Sequence, residues 1–279
     1  MLALYDLAKK ASVRANAVLP VLLGSSACGC AAYLAGLCLA GRSGAWTVLT
    51  GEIVALAAAK SLIVATSWVF TFQALRTLPL SIATPIRASA PALVFVAAFL
   101  LYGEVPGPVQ AVGMLAVFGG YFVFSWAGRH EGIDFFRNRA VWCAIAGACC
   151  SAVSSIWDKY IFQVRGVNVE AAQLVFQVGL VAIYALLLVL QRRFAPQTCS
   201  RFTWRWTIPL VGVLLAGADW LYFKGLAIPG VPISVASLMR RFSVVITFVL
   251  GARFFHETNL ARKALALAVI LAGIVLLCL

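Results

Sequence analysis

Charge is what this chain has least of. Only 11% of its 279 residues are Asp, Glu, Lys or Arg, and just nine are acidic. A soluble domain of this size needs far more polar surface around its core. Histidine is nearly missing as well. His130 and His256 are the two present, both at predicted loops, which disfavours a haem or metal site. No C-x-x-C pair is accompanied by histidines. The cysteines Cys28, Cys30, Cys38, Cys143, Cys149, Cys150 and Cys278 lie in apolar runs and read as small packing residues, with Cys199 alone in a polar loop. There is no G-x-x-x-x-G-K-[ST] loop, which excludes direct drive by ATP. The short alternating segments of a transmembrane barrel are absent, and no cleavable signal peptide is evident. No cofactor is expected.

Apolar residues fill the space. The chain is 63% hydrophobic with a mean hydropathy of +0.99. Its apolar runs reach the ~20 residues a helix needs to cross a bilayer. In hydrocarbon the backbone must satisfy its own hydrogen bonds, so these runs are helices. Nine spans are predicted, over 17–40, 53–75, 81–101, 108–126, 140–163, 170–190, 206–226, 233–250 and 263–279. Breaks between them carry Gly, Pro or charge, as in Gly103-Glu104-Val105-Pro106-Gly107 and Ile228-Pro229-Gly230-Val231-Pro232.

The net charge of +13 does not point to nucleic acid, because the basic residues sit beside spans and not in a soluble basic domain. One side of the predicted topology holds fourteen Lys and Arg: Lys9, Lys10, Arg14, Arg76, Arg129, Arg137, Arg139, Arg192, Arg193, Arg201, Arg205, Arg253, Arg262 and Lys263. The other side holds Arg42 and Arg165. The positive-inside rule makes the first side cytoplasmic and sends the C-terminus outside. The expected location is a bacterial inner membrane.

The chain also repeats itself. Ser81-Ile82-Ala83 recurs as Ser234-Val235-Ala236, Arg87 as Arg240 and Glu104 as Glu257, all at an offset of 153. Asp6 and Asn16 recur as Asp158 and Asn168 at 152. The expected organisation is one repeat over 1–126, a hydrophilic loop over 127–139, and a second repeat over 140–279. The helix at 140–163 would find its partner at about −12 to 11, so residues 1–16 read as the tail of an incomplete first helix. The parent architecture is then ten helices, five per repeat. An odd number inserts the two copies in opposite orientations. The fold class is therefore an all-α polytopic membrane protein built of inverted repeats.

Polar residues inside spans carry the functional signal. A mid-bilayer charge costs about 2.5–3.5 kcal/mol on insertion scales and normally faces a cavity or a partner. The candidates are Lys60, Arg87, Lys159, Lys224, Arg240 and Arg241, against Asp158 and Asp219. That excess of cations would be relieved by an anionic solute. Arg87 and Arg240 hold equivalent places, and a guanidinium suits carboxylate or phosphate. They could equally bind carbonyls or Asp219 and only hold helices together. Asp219 reads as a structural ion pair or, alternatively, a proton acceptor. Lys60 is a cavity candidate, Lys224 could snorkel from its helix end, and Trp68, Trp220 and Tyr222 are candidate cavity walls. Asp158-Lys159 reads as a structural or gating ion pair near the outer end of its helix.

The run from Ala74 to Ile86, with Pro91, Gly103-Glu104, Gly113, Gly119 and Gly120, resembles the EamA-type branch of the drug/metabolite transporter superfamily. The second copy is similar through Gly225-Leu226-Ala227-Ile228-Pro229, Ser234 to Leu238, His256-Glu257 and Gly273, with His256 in place of Gly103 and Leu238 in place of Pro85. The resemblance implies a ten-helix inverted-repeat carrier with a central cavity lined mainly, in this chain, by 53–75, 81–101, 206–226 and 233–250. The Arg240-Arg241 pair is similar to the basic site of the superfamily's organophosphate translocators, which use lysines with a Lys-Arg pair. The expectation is a secondary or facilitative transporter of a small organic solute, anionic in character, and not an enzyme. A membrane enzyme or lipid-handling protein acting on phosphorylated headgroups is the alternative, as is a non-transporting truncated paralogue. The expected partners are the solute and the lipid bilayer, with a homodimer admissible and no nucleic acid.

Overall fold

A computed structural model describes residues 1–41, 48–80, 82–83, 86, 107–129, 137–198, 201–228, 246–250, 253–254 and 260–278. Eight α-helices follow one another: α1 Leu2–Val13, α2 Val18–Leu39, α3 Gly51–Thr77, α4 Pro108–Arg129, α5 Arg139–Lys159, α6 Val169–Phe194, α7 Thr207–Leu226 and α8 Leu260–Cys278. A π-helical turn, Tyr160–Val164, extends α5. Among the described residues there is no strand. The helices α2, α3, α5, α6 and α7 are long and apolar enough to cross a membrane. The predicted spans 81–101 and 233–250 lie mostly outside the described residues.

Local chemistry sets the helix ends. Thr50 caps α3 by accepting from the Ile53 N–H, Asn138 caps α5 through Ala140, and Asn168 caps α6 through Ala171. At the other end of α3, the Lys10 ammonium donates to the carbonyls of Leu75 at 2.6 Å and Leu78 at 2.5 Å. It neutralises the negative end of that helix. Three lysines of the fourteen-residue charge count, Lys9, Lys10 and Lys263, are buried within the protein. The lysines in question sit on helices that pack inward, which the charge count along the chain does not register.

Contact registers give the helix directions. Between α3 and α5, Ser67 meets Gly147 while Lys60 meets Asp158, so numbers rise on one helix as they fall on the other. These two helices are antiparallel. Between α3 and α6, Ser61 meets Phe176 and Ala65 meets Tyr184, so both numbers rise together and the pair is parallel. Gly24 beside Ile208 and Gly29 beside Gly212 make α2 and α7 parallel. The near end of the bundle is where α3 and α6 begin and where α5 and α7 finish. At the far end α7 begins and α1 and α3 finish.

These registers display the inverted repeat. With α1–α4 matched to α5–α8, the packing of α3 on α5 repeats as α7 on α1, and α3 on α6 repeats as α7 on α2. The pairs α2 with α6 and α4 with α8 map onto themselves. The last pair shows the symmetry in single atoms. A Cβ on Gly120 would approach the Ala266 carbonyl at 3.2 Å, and one on Gly273 would approach the Gly113 carbonyl at 2.7 Å. Gly120 and Gly273 differ by the repeat offset of 153, and so do Gly113 and Ala266. Small residues here let the two backbones touch.

The symmetry is obeyed by position but not by chemistry at the helix ends. At the near end Arg165 pairs with Glu52 through Nε at 2.7 Å and through Nη2, and Lys224 pairs with Glu170 at 2.5 Å. The residue equivalent to Glu52 at the far end is Arg205, which donates to the neutral Ala11 carbonyl. Asn16 adds to the far end, with its Oδ1 accepting from the Thr203 N–H at 3.0 Å and its Nδ2 donating to the Thr203 carbonyl at 2.8 Å.

Candidate functional site

A cavity of about 150 Å³ lies between the two repeats. From the first repeat α1 contributes Leu2, Tyr5 and Lys9, and α3 contributes Lys60, Val64, Ser67, Trp68 and Thr71. From the second, α5 contributes Ser151, Ser154, Ser155 and Asp158, α6 contributes Phe176, and α7 contributes Leu215, Asp219, Tyr222 and Phe223. The intervals are those of one helix face: 60, 64, 67, 71 on α3, 151, 154, 155, 158 on α5, and 215, 219, 222, 223 on α7. The α5 stripe is polar throughout, the α3 stripe mixes Lys60, Ser67 and Thr71 with Val64, and α7 adds Asp219 among apolar and aromatic side chains.

The strongest interaction in the wall is an ion pair between Lys60 and Asp158, both nearly fully buried. Lys60 lies nine residues into α3, roughly 14 Å from its start at the usual rise per residue. Three rings surround its ammonium, with centroids at 3.8 Å for Phe223, 5.0 Å for Phe176 and 5.8 Å for Phe162. Lys9 stands deeper toward the far end, its ammonium 4.6 Å from the Phe72 ring and 5.1 Å from that of Tyr5. Asp219 is buried in the same wall. Between these charges Ser67 ties α3 to α5 by donating to the Gly147 carbonyl at 2.7 Å, while the Thr71 hydroxyl donates back to the Ser67 carbonyl of its own helix at 2.8 Å.

Of the residues singled out in the sequence, Lys60, Trp68, Asp158, Asp219 and Tyr222 meet at this cavity. Trp220 does not. It follows Asp219 by one residue and is turned about 100° around the helix, where it lines an apolar groove with Tyr33, Leu37 and Ala216. Lys224 does not either, because it is held at the near end by Glu170. Asp158 takes Lys60 as its partner, in place of the end-of-helix pairing expected for Asp158-Lys159, and Lys159 is exposed. Arg87, Arg240 and Arg241 lie outside the described residues. Sequence reasoning missed Lys9, which belongs to a segment read as a polar stub, and the serine face of α5. The signal for the latter was present in the spacing of Ser151, Ser154, Ser155 and Asp158.

Among the described residues the cavity wall carries two lysines and two aspartates.

Residues 2–126 match the EamA-like transporter family. That segment, under half of the chain, is similar to transporters of this family. The repeat matched by the family contains α1 to α4 and half of the cavity wall, including Lys9, Lys60 and Trp68. The whole chain also superposes on a crystal structure of another protein with a TM-score of 0.67, over 99% of this chain and 92% of that one, at 21% identity. That likeness concerns the fold. No curated protein matches the chain. The matched family is one of transporters, and the long apolar helices make this chain a multi-pass integral membrane protein.

Proposed function

We propose that this chain is a secondary-active or facilitative carrier of a small organic solute, working by alternating access around a cavity between inverted repeats over 1–126 and 140–279. The observation that carries the reading is a buried, polar cavity with both signs of charge placed where the two repeats meet. Inverted repeats can exchange conformations, and a site on their shared axis is then presented to each side in turn.

The proposed solute has an anionic group. Lys9 and Lys60 are the described cations that support this, and Arg87, Arg240 and Arg241 stay in the proposal through their matched sequence positions. The aspartates beside the lysines narrow it further, to a solute bearing a positive group as well. A net anion alone would draw Lys60 away from Asp158 and bring no replacement for that pairing, and an uncompensated buried charge is costly. The proposed location is a bacterial inner membrane, with the far end cytoplasmic and the C-terminus outside, since the basic residues at helix ends still favour that side after the buried lysines are set apart.

The test is uptake into proteoliposomes by the purified full chain. Labelled amino acids, dicarboxylates, sugar phosphates and organic cations are compared. Uptake of zwitterions, abolished in Asp219→Asn and in Arg240→Ala with folding preserved, is the expected result. Uptake of dicarboxylates alone removes the zwitterion reading, and absence of all uptake removes the carrier.

A further inference from the structure

An ion pair and three ring contacts bind the ammonium of Lys60 to the other repeat. Asp158 comes from α5, Phe162 from the π-helical turn after it, Phe176 from α6 and Phe223 from α7. The three rings brace one another as well as the lysine. Phe162 and Phe223 have centroids 5.0 Å apart, and Phe176 meets Phe223 edge-on at 6.4 Å. All three are buried, so the walls keep their shape by packing among themselves. An aromatic box with a carboxylate in its wall is a receptor for an organic cation. The first repeat supplies the occupant on a flexible four-carbon stem.

We propose that this box is a binding subsite for the primary ammonium group of the transported solute, with Lys60 as its resident placeholder. The inference deepens the carrier reading and rests on it for its physiological meaning. A solute ammonium has the same charge and the same donors as the one it displaces, so Asp158 never stands unpaired. Lys60, released into the adjoining cavity, meets the solute's anionic group. A solute with an anion only strands Asp158, and one with a cation only strands Lys60. The exchange also removes a tie between the two repeats, because Lys60 and Asp158 bridge α3 and α5. Occupancy and release of the repeats are thereby one event.

The test uses thermal unfolding of the detergent-purified full chain and needs no transport. Lys60→Ala vacates the box. Added n-butylammonium chloride is expected to raise its Tm with dose, while n-butanol and sodium chloride at equal concentration do not. Lys60→Met, which keeps the box plugged without a charge, is expected to give no response, and Asp158→Asn placed in Lys60→Ala is expected to abolish it. Equal effects of the amine and the alcohol overturn the proposal, as does an undiminished response in the Asp158→Asn double variant. Should Lys60→Ala fail to yield folded protein alone, it is extracted with n-butylammonium present throughout. Recovery of monodisperse protein with the amine and not with the alcohol supports the subsite, and no recovery with either overturns it. A responsive Lys60→Ala beside a wild type that moves no solute separates failure of the carrier reading from failure of the subsite.

Discussion

Gly120 and Gly273 perform the same contact from opposite sides of one helix crossing. Each lies against a carbonyl of the other repeat, Gly120 on Ala266 and Gly273 on Gly113. Because the second pair of atoms is the image of the first, the axis relating the repeats passes through the α4–α8 crossing. Gly273→Ala puts a methyl 2.7 Å from the Gly113 carbonyl and 2.9 Å from the Val117 N–H, backbone atoms that cannot rotate away. A loss of about 1–3 kcal/mol is expected, the usual cost of overpacking. Gly119, one residue from Gly120, has open space at its Cβ. Gly119→Ala should therefore gain about 0.5–1 kcal/mol from the removed backbone freedom. Tm measurements on the two variants check the contrast, and equal shifts would show that the crossing is not tight.

The Lys60–Asp158 pair should behave as one unit. Lys60→Met or Asp158→Asn alone is expected to cost about 3–5 kcal/mol, because each leaves a buried charge without its main partner. The double variant should cost much less than the two losses added together. A double-mutant cycle by chemical unfolding gives the coupling, and additive losses would mean the pair is energetically idle.

Lys10 ties α1 to the end of α3 through two carbonyls. Lys10→Met keeps the stem and removes the donors, leaving those carbonyls exposed to an apolar neighbour. A loss of about 1.5–3 kcal/mol is expected for charged hydrogen bonds of this kind. Hydrogen exchange should rise in the last turn of α3 before anywhere else in that helix, and protection unchanged over residues 74–78 counts against the cap.

The near-end ion pairs hold that end shut. Arg165 is pushed above its ordinary value by its hydrogen bond to Glu52 and by that carboxylate's charge, so it stays protonated throughout the working range. The combined variant Glu52→Gln with Glu170→Gln removes both pairs. In a background with the eight cysteines replaced, Ser67→Cys should then react severalfold faster with a polar thiol reagent. An unchanged rate would show that packing alone closes the end.

Most of the helix frame was legible in the sequence, and the reason is length. The predicted 17–40, 108–126 and 206–226 lie within a residue or a few of α2, α4 and α7, because lipid demands a long apolar run and Gly, Pro or charge ends it. The repeat was read from matched pairs such as Asp6 with Asp158 and Asn16 with Asn168, whereas the match of Gly120 with Gly273 emerges only from the packing of α4 on α8. Partnership was not legible. Lys60 and Asp158 are 98 residues apart, and only the antiparallel register of α3 and α5 brings them together. Trp220 and Asp219 are adjacent in the chain yet face different surroundings, since a 100° step separates cavity from groove. Lys9 could not be found by counting charges near helix ends, for its burial depends on α1 lying against α7 and α3.

Dissolved electrolyte is a one-sided lever on this molecule. Counter-ions weaken the Glu52–Arg165 attraction, which lies half in solvent, and at about 0.15 M salt such surface charges already feel each other only over ~8 Å. The image of that contact joins Arg205 to an uncharged carbonyl and has far less to lose. Brine therefore loosens one mouth and spares its mirror, giving a protein of two matched halves a preferred direction in which to lean.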